Sequence, residues 1–246
     1  MKKTILLLII ILCGCQSKND LNDTSKHNGN WMWHIKNNEQ EGQWVQIADT
    51  GSFSIDNGKS IWWHDNGIKR EEGTKTNGKK TGHWIAWYEN GKIMHDLFYR
   101  NDTVYQHAWY DNGKKELQGA LYNNKGAGQW YTWFDNGQLH KDVFYRNDTA
   151  YQKQWYNNGK LHGIGKYYKN DPIGKIERWY DNGNRMDIAN WNNGLQHGSA
   201  TIYYENGKIK IESTWDNGIA IGNWKFYNQD QKLDSIIKYP EMVRIK

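Results

Sequence analysis

The dipeptide Asn-Gly recurs with its Asn at 66, 90, 112, 136, 158, 182 and 206, in steps of 24, 22, 24, 22, 24 and 24 residues. A period of this size makes the chain a tandem array in which each unit buries its apolar surface only against its neighbours. A second turn follows each at Asn77-Gly78, Asn101-Asp102, Asn123-Asn124, Asn147-Asp148, Asn170-Asp171, Asn193-Gly194 and Asn217-Gly218. Each unit therefore reads strand, turn, strand, turn. Asn-Gly between runs rich in Trp, Tyr and Ile predicts a type I′ hairpin, whose two central residues both take positive φ. With prolines only at 172 and 240, few strands lose a ladder hydrogen bond. The expected fold is all-β: an elongated, single-layer antiparallel meander of tandem β-hairpin repeats of about 22–24 residues. At about 4.8 Å per strand the array would be on the order of 70 Å long.

Alignment on the turn exposes columns. Three residues before each Asn stand Trp63, Trp87, Trp109, Trp133, Trp155, Trp179 and Tyr203, and two before stand His64, Tyr88, Tyr110, Phe134, Tyr156, Tyr180 and Tyr204. An acidic column follows, for example Asp111 and Asp135, and a further aromatic column precedes the second turn at Tyr99, Tyr122, Tyr145, Tyr168, Trp191 and Trp215. Adjacent strand positions face opposite sides of a sheet, so the Trp and Tyr columns cannot share a face. In a chain poor in Leu, Ile and Val, stacked rings replace a conventional core. The same residues, Trp87, Trp109, Trp133, Trp155 and Trp179 with Tyr88, Tyr110, Phe134, Tyr156 and Tyr180, form the candidate binding surface.

The run Gly82-x-Trp84-x-x-Trp87-Tyr88-Glu89-Asn90-Gly91-Lys92-Ile93, with its opening repeated at Gly128-Gln129-Trp130 and Gly222-Asn223-Trp224, resembles the bacterial variant of MORN repeats. The resemblance spans roughly residues 60 to 230 and implies a hairpin array used as a protein-interaction or membrane-associated scaffold. Some relatives carry a toxin–antitoxin label, which fits an exported chain poorly. Lys75, in place of an aromatic, and Asn157, in place of an acid, depart from the simplest pattern. A longer duplication relates the stretch from Gly82 to that from Gly128, an offset of 46 residues.

Outside the array, Lys2 and Lys3 precede the apolar run Ile5 to Leu12, too short to span a bilayer as a finished helix and ordered like an export signal. Leu12-Cys13-Gly14-Cys15 resembles a bacterial lipobox, which implies cleavage before Cys15 and lipid on its sulfur. Two or three acyl chains anchor durably where one does not. By the same resemblance, Gln16 after the cysteine favours the outer membrane of a Gram-negative envelope. The expected organisation is a lipoprotein signal over 1–14, a flexible polar tether over 15–29, a degenerate N-terminal capping repeat over 30–59, the array over 60–228 and a C-terminal cap over 229–246. Of the two cysteines, Cys13 and Cys15, the exported part keeps at most the lipidated Cys15, so no disulfide braces it.

The formal charge of +5 includes Lys2 and Lys3, which leaves +3 after the signal, too little and too scattered for nucleic acid. Asp111 and its equivalents sit where Asp serves turns, so no catalytic carboxylate pair is assigned. The nine histidines form no ligand cluster, and no nucleophile, phosphate or dinucleotide motif appears, so no metal or cofactor is expected. Three binding readings remain: an envelope protein held against the aromatic face, a glycan or cell-wall polymer stacked on exposed rings, and lipid head groups met by Trp and Tyr. Asp102-Thr103, Asp148-Thr149 and Asp234-Ser235 also resemble an O-glycosylation acceptor pattern, although turn chemistry explains them more simply.

Overall fold

The computed structural model describes residues 31–35, 42–46, 57–64 and 66–240. The signal with Cys15 and the tether lie outside them, and of the capping repeat only β1 (Trp31–Ile35), β2 (Gly42–Gln46) and residues 57–59 are described. β1 and β2 form a hairpin, and β1 runs beside the first strand of the array.

The array is one sheet of sixteen antiparallel strands in which every strand pairs with its sequence neighbours. These are β3 (Gly58–Trp63), β4 (Lys69–Thr76), β5 (Lys79–Trp87), β6 (Ile93–Arg100), β7 (Thr103–Trp109), β8 (Lys115–Tyr122), β9 (Lys125–Trp133) and β10 (Leu139–Arg146). The sheet continues through β11 (Thr149–Trp155), β12 (Leu161–Tyr168), β13 (Asp171–Trp179), β14 (Arg185–Asn192), β15 (Leu195–Tyr203), β16 (Ile209–Asp216), β17 (Ile219–Tyr227) and β18 (Leu233–Tyr239). The single-layer meander is as expected, and no helix interrupts it among the described residues.

The turn chemistry differs from expectation. At the first turn of each unit only the glycine of Asn-Gly takes positive φ, for example Gly91 at 79° and Gly113 at 88°. Tyr88 N–H donates to Lys92 O and Gly91 N–H to Tyr88 O, the pattern of a type I turn closed by a glycine in the left-handed region. Both central residues take positive φ, as I′ geometry requires, at five of the second turns, for example Asn77 and Gly78 at 51° and 72° and Asn123 and Asn124 at 49° and 60°, whereas at Asn101-Asp102 and Asn147-Asp148 only the Asn does. In the fifth unit that turn is Lys169-Asn170, not Asn170-Asp171, because Tyr168 pairs with Asp171.

The alternation of 22 and 24 has a physical cause. In β5, β9, β13, β15 and β17, nine residues each, the ladder to the preceding strand slips by two, and a glycine takes positive φ at Gly82, Gly128, Gly174, Gly198 and Gly222. β7 and β11 have seven residues, and each pairs with its preceding strand without a slip. The two extra residues are a bulge within the strand rather than a longer turn.

The bulge builds the core. In the first bulged unit it lays Trp84 flat on Gly73, so closely that a Cβ there would lie 2.1 Å from the ring, and Trp84 Nε1 donates to Thr74 O at 2.9 Å. Trp130 repeats this over Gly119, with Nε1 donating to Ala120 O at 2.7 Å, and Ile176 takes the place of the ring over Gly165. Along the same face run Ser60, Leu97, Gln106, Val143, Gln152, Ala189, Ala200 and Ser213, one row across the strands. Trp84, at 1% exposure, is the largest fully buried side chain among the described residues.

Candidate functional site

The Asn-Gly margin of the sheet is a repeated hydrogen-bond rail. Each Asn accepts from a backbone N–H two residues on, as Asn90 Oδ1 does from Lys92 at 3.0 Å, and from Asn66 to Asn182 its Nδ2 donates to the next unit's turn, Asn90 to Asp111 O at 3.0 Å and Asn112 to Asp135 O at 2.9 Å. The acidic column thus contributes its backbone carbonyls to the rail. The Tyr column supplies a second rung. Hydroxyls of Tyr88, Tyr110, Tyr156 and Tyr180 donate to the carbonyls of Trp109, Trp133, Trp179 and Tyr203 at 2.7–2.9 Å. Partial burial, and then nearby carboxylates such as Glu116 and Asp111 at Tyr88, hold these phenols above their ordinary pKa, so they stay protonated as donors.

Phe134 has no hydroxyl and leaves this series broken at one unit. Its ring instead lies 4.3 Å from His140, as Tyr156 lies 4.4 Å from His162. Burial, then the charges of Lys141 and Arg178 respectively, holds both imidazoles below the usual histidine pKa.

Trp87, Trp109, Trp133, Trp155 and Trp179 end their strands half-buried, on the face opposite the core row. Cations lie over several of them: Lys69 at 5.9 Å from the Trp87 ring, Lys115 at 5.6 Å from Trp133 and Arg185 at 5.6 Å from Trp179. His107 meets Trp109 edge-on at 6.0 Å. The ten candidate residues thus lie along one margin, with the Tyr hydroxyls engaged by the backbone and the Trp rings partly covered.

The rings most open to solvent are others. Phe98, Tyr105 and Tyr122 form one group on β6, β7 and β8, and Phe144, Tyr151 and Tyr168 form its copy on β10, β11 and β12, with exposures from 42 to 54%. Phe98 opposes Tyr105 and Phe144 opposes Tyr151 in the ladder, with ring centroids 6.4 and 6.5 Å apart and tilts of 37° and 41°. All six lie on the face opposite the core row. His83 binds Asp96 beside the first group, and Gln129 binds Asp142 at the equivalent place beside the second. Lys166 over Tyr151 and Lys169 over Tyr168 make the second group the more basic.

Sequence alignment missed this surface for a definite reason. Tyr122 and Tyr168 fell in one column with Tyr99 and Tyr145, but the turns at 123–124 and 169–170 make them the last strand residues before the turn. Leu121 and Tyr167 take the column position, and Tyr122 and Tyr168 turn to the open face. The offset of 46 was the available signal, since it relates each member of one group to its copy.

Among the described residues no group of three His, Cys, Asp or Glu side chains is placed to hold a metal ion. Four segments, residues 80–101, 128–147, 149–170 and 196–217, match the MORN repeat variant. They include bulged and flat units alike, and intervening units such as β7–β8 have the same hairpin geometry outside the matched segments. No curated protein matches the chain.

Proposed function

We propose that this chain, a MORN-repeat protein, is a non-catalytic scaffold tethered to the cell envelope through lipid on Cys15, and that it holds a protein partner against the open aromatic face of its sheet. MORN repeats are in general protein- or membrane-interaction modules. The observation that carries the reading is the pair of exposed aromatic groups, Phe98, Tyr105 and Tyr122 with Phe144, Tyr151 and Tyr168. Each is ordered by a rigid ladder and offers ring area with little rotamer entropy left to lose. The groups are four strands apart, roughly 19 Å at ordinary strand spacing, so a partner reaching both gains by avidity.

A glycan ligand has one specific observation in its favour. The tilted ring pairs are open platforms on a flat face, the shape on which a sugar ring stacks. Co-sedimentation with isolated envelopes separates the two: binding lost after protease treatment of the envelopes supports a protein partner, and binding that survives protease points to glycan or lipid.

A further inference from the structure

Among the described residues of the array, Gly163 is the one glycine that the fold does not require. Every other takes positive φ or has a packed atom within 3 Å of where a Cβ would lie. Gly163 has neither: an added Cβ would meet only Glu177 O at 3.5 Å and Arg178 Cγ at 3.8 Å, ordinary contacts. Glycine weakens a strand interior, and its use there is to let another group approach the backbone. On the core face Gly163 lines a cleft of about 50 Å³ across β11, β12 and β13, between Gln154 and Arg178 in the ladder. The copy 46 residues earlier has Leu117 and Trp130 where this one has Gly163 and Ile176, and Ala108 and Thr132 where it has Gln154 and Arg178. Apolar bulk has given way to a hollow with polar walls.

The walls select a class of ligand. Arg178 is already matched, its Nε donating to both carboxylate oxygens of the buried Asp187 at 3.0 and 2.9 Å, so an anion would have to displace that carboxylate. His162, also in the lining, is held below the usual histidine pKa by burial and then by the charge of Arg178, and is neutral at pH 7. The amides of Gln152 and Gln154, joined at 3.3 Å, offer donors and acceptors together. Tyr167, its ring 3.1 Å from the Cβ position of Gly165, adds an apolar wall. We propose that the cleft binds a neutral sugar unit, with a hydroxyl-bearing edge set on Gly163 between the Gln154 amide and Arg178. Its volume has room for a few water-sized groups, so it takes one edge of a sugar ring and leaves the rest outside. The site lies on the face opposite the exposed aromatic groups and does not depend on what those groups hold.

The test is saturation-transfer NMR of the full chain in a detergent without sugar head groups, with the methyl glycosides of glucose, galactose, mannose and N-acetylglucosamine as probes. At least one should bind, and Gly163→Leu, which refills the cleft, and Gln154→Ala, which removes an amide, should each weaken it roughly tenfold or more. Tyr105→Ser with Tyr151→Ser, on the opposite face, should bind like the wild type. Glucuronate, which must compete with Asp187 for Arg178, and N-acetyltryptophan amide, a ring of the protein kind, should bind more weakly than the best glycoside. No transfer to any of the glycosides, binding unchanged in Gly163→Leu and Gln154→Ala, binding lost in the Tyr105 and Tyr151 variant, or tighter binding of glucuronate or the tryptophan amide would overturn the proposal. Thermal unfolding separates a filled cleft from a lost fold: Gly163→Leu should melt no lower than the wild type, and Gln154→Ala, which leaves the backbone alone, carries the test if it does.

Discussion

A bulged unit and a flat unit differ by two residues, and that difference decides which rings are buried. In β5 the slip at Gly82 turns Trp84 onto Gly73, while in β7, with no slip, the core row holds Gln106 and the neighbouring Tyr105 stays open on the other side. β9 and β11 repeat the contrast with Trp130, Gln152 and Tyr151. Aromatic content is therefore a poor guide to role in this chain. In β5 and β9 the glycine that permits the bulge turns Trp84 and Trp130 onto the core row, while β7 and β11, which lack it, leave Tyr105 and Tyr151 open to solvent.

The sharpest way to break this comparison is to remove the ring from a bulged unit. Trp84→Ala should destabilise by about 3–5 kcal/mol in denaturant unfolding, the usual range for a buried Trp, whereas Gln106→Ala in the same row should shift stability by less than about 1 kcal/mol. Gly82→Ala probes the bulge alone, since no atom lies within 4 Å of the added Cβ while φ is +63°. Its cost is the left-handed backbone itself, about 1–2 kcal/mol. A change of similar kind at Gly73 must instead move the Trp84 ring.

Smaller effects fall on the margin. Phe134→Tyr supplies the missing hydroxyl of the rail and should stabilise by about 0.5–1.5 kcal/mol, while Tyr110→Phe should lose a comparable amount, both read from the denaturation midpoint. The stacked imidazoles add a pH dependence. His140 and His162 have folded pKa values below the ordinary 6.5, so the folded state binds fewer protons than the unfolded chain. Their contribution to stability is complete above about pH 6.5 and is lost as pH falls towards the folded values. The melting temperature should therefore drop in that window, and replacing both by Asn should flatten the drop.

The repeat period, the meander and the opposition of the Trp and Tyr columns were legible because turn residues and a two-residue alternation are local. The cause of the 22 and 24 steps was not, since two extra residues can lengthen a turn or bulge a strand, and only the pairing of Glu72 with Ile85 and of Thr74 with Thr81 decides it. Asn-Gly marks two kinds of hairpin equally well, which hid the exchange of turn types. At 169–170 the structure sets Lys169 at a φ of 50°, a conformation that propensity disfavours, so the neighbouring Asn-Asp pair was the natural misreading. That one-residue shift concealed Tyr168; at Asn123-Asn124 the turn lies where the sequence placed it, and Tyr122 was instead aligned one residue out of step with Tyr99. The service of the Tyr hydroxyls to the following unit lies in contacts about 21–23 residues apart, beyond any local pattern.

The most direct test of the central claim, that the two groups of open rings are the recognition surface, is envelope co-sedimentation of two full-chain variants beside the wild type. One carries Tyr105→Ser with Tyr151→Ser, and the other carries Tyr110→Phe with Tyr156→Phe on the rail. The account predicts that the first loses binding with its melting temperature nearly unchanged, while the second binds as the wild type but melts lower. Binding retained by the Tyr105 and Tyr151 variant, or lost only by the rail variant, would contradict it.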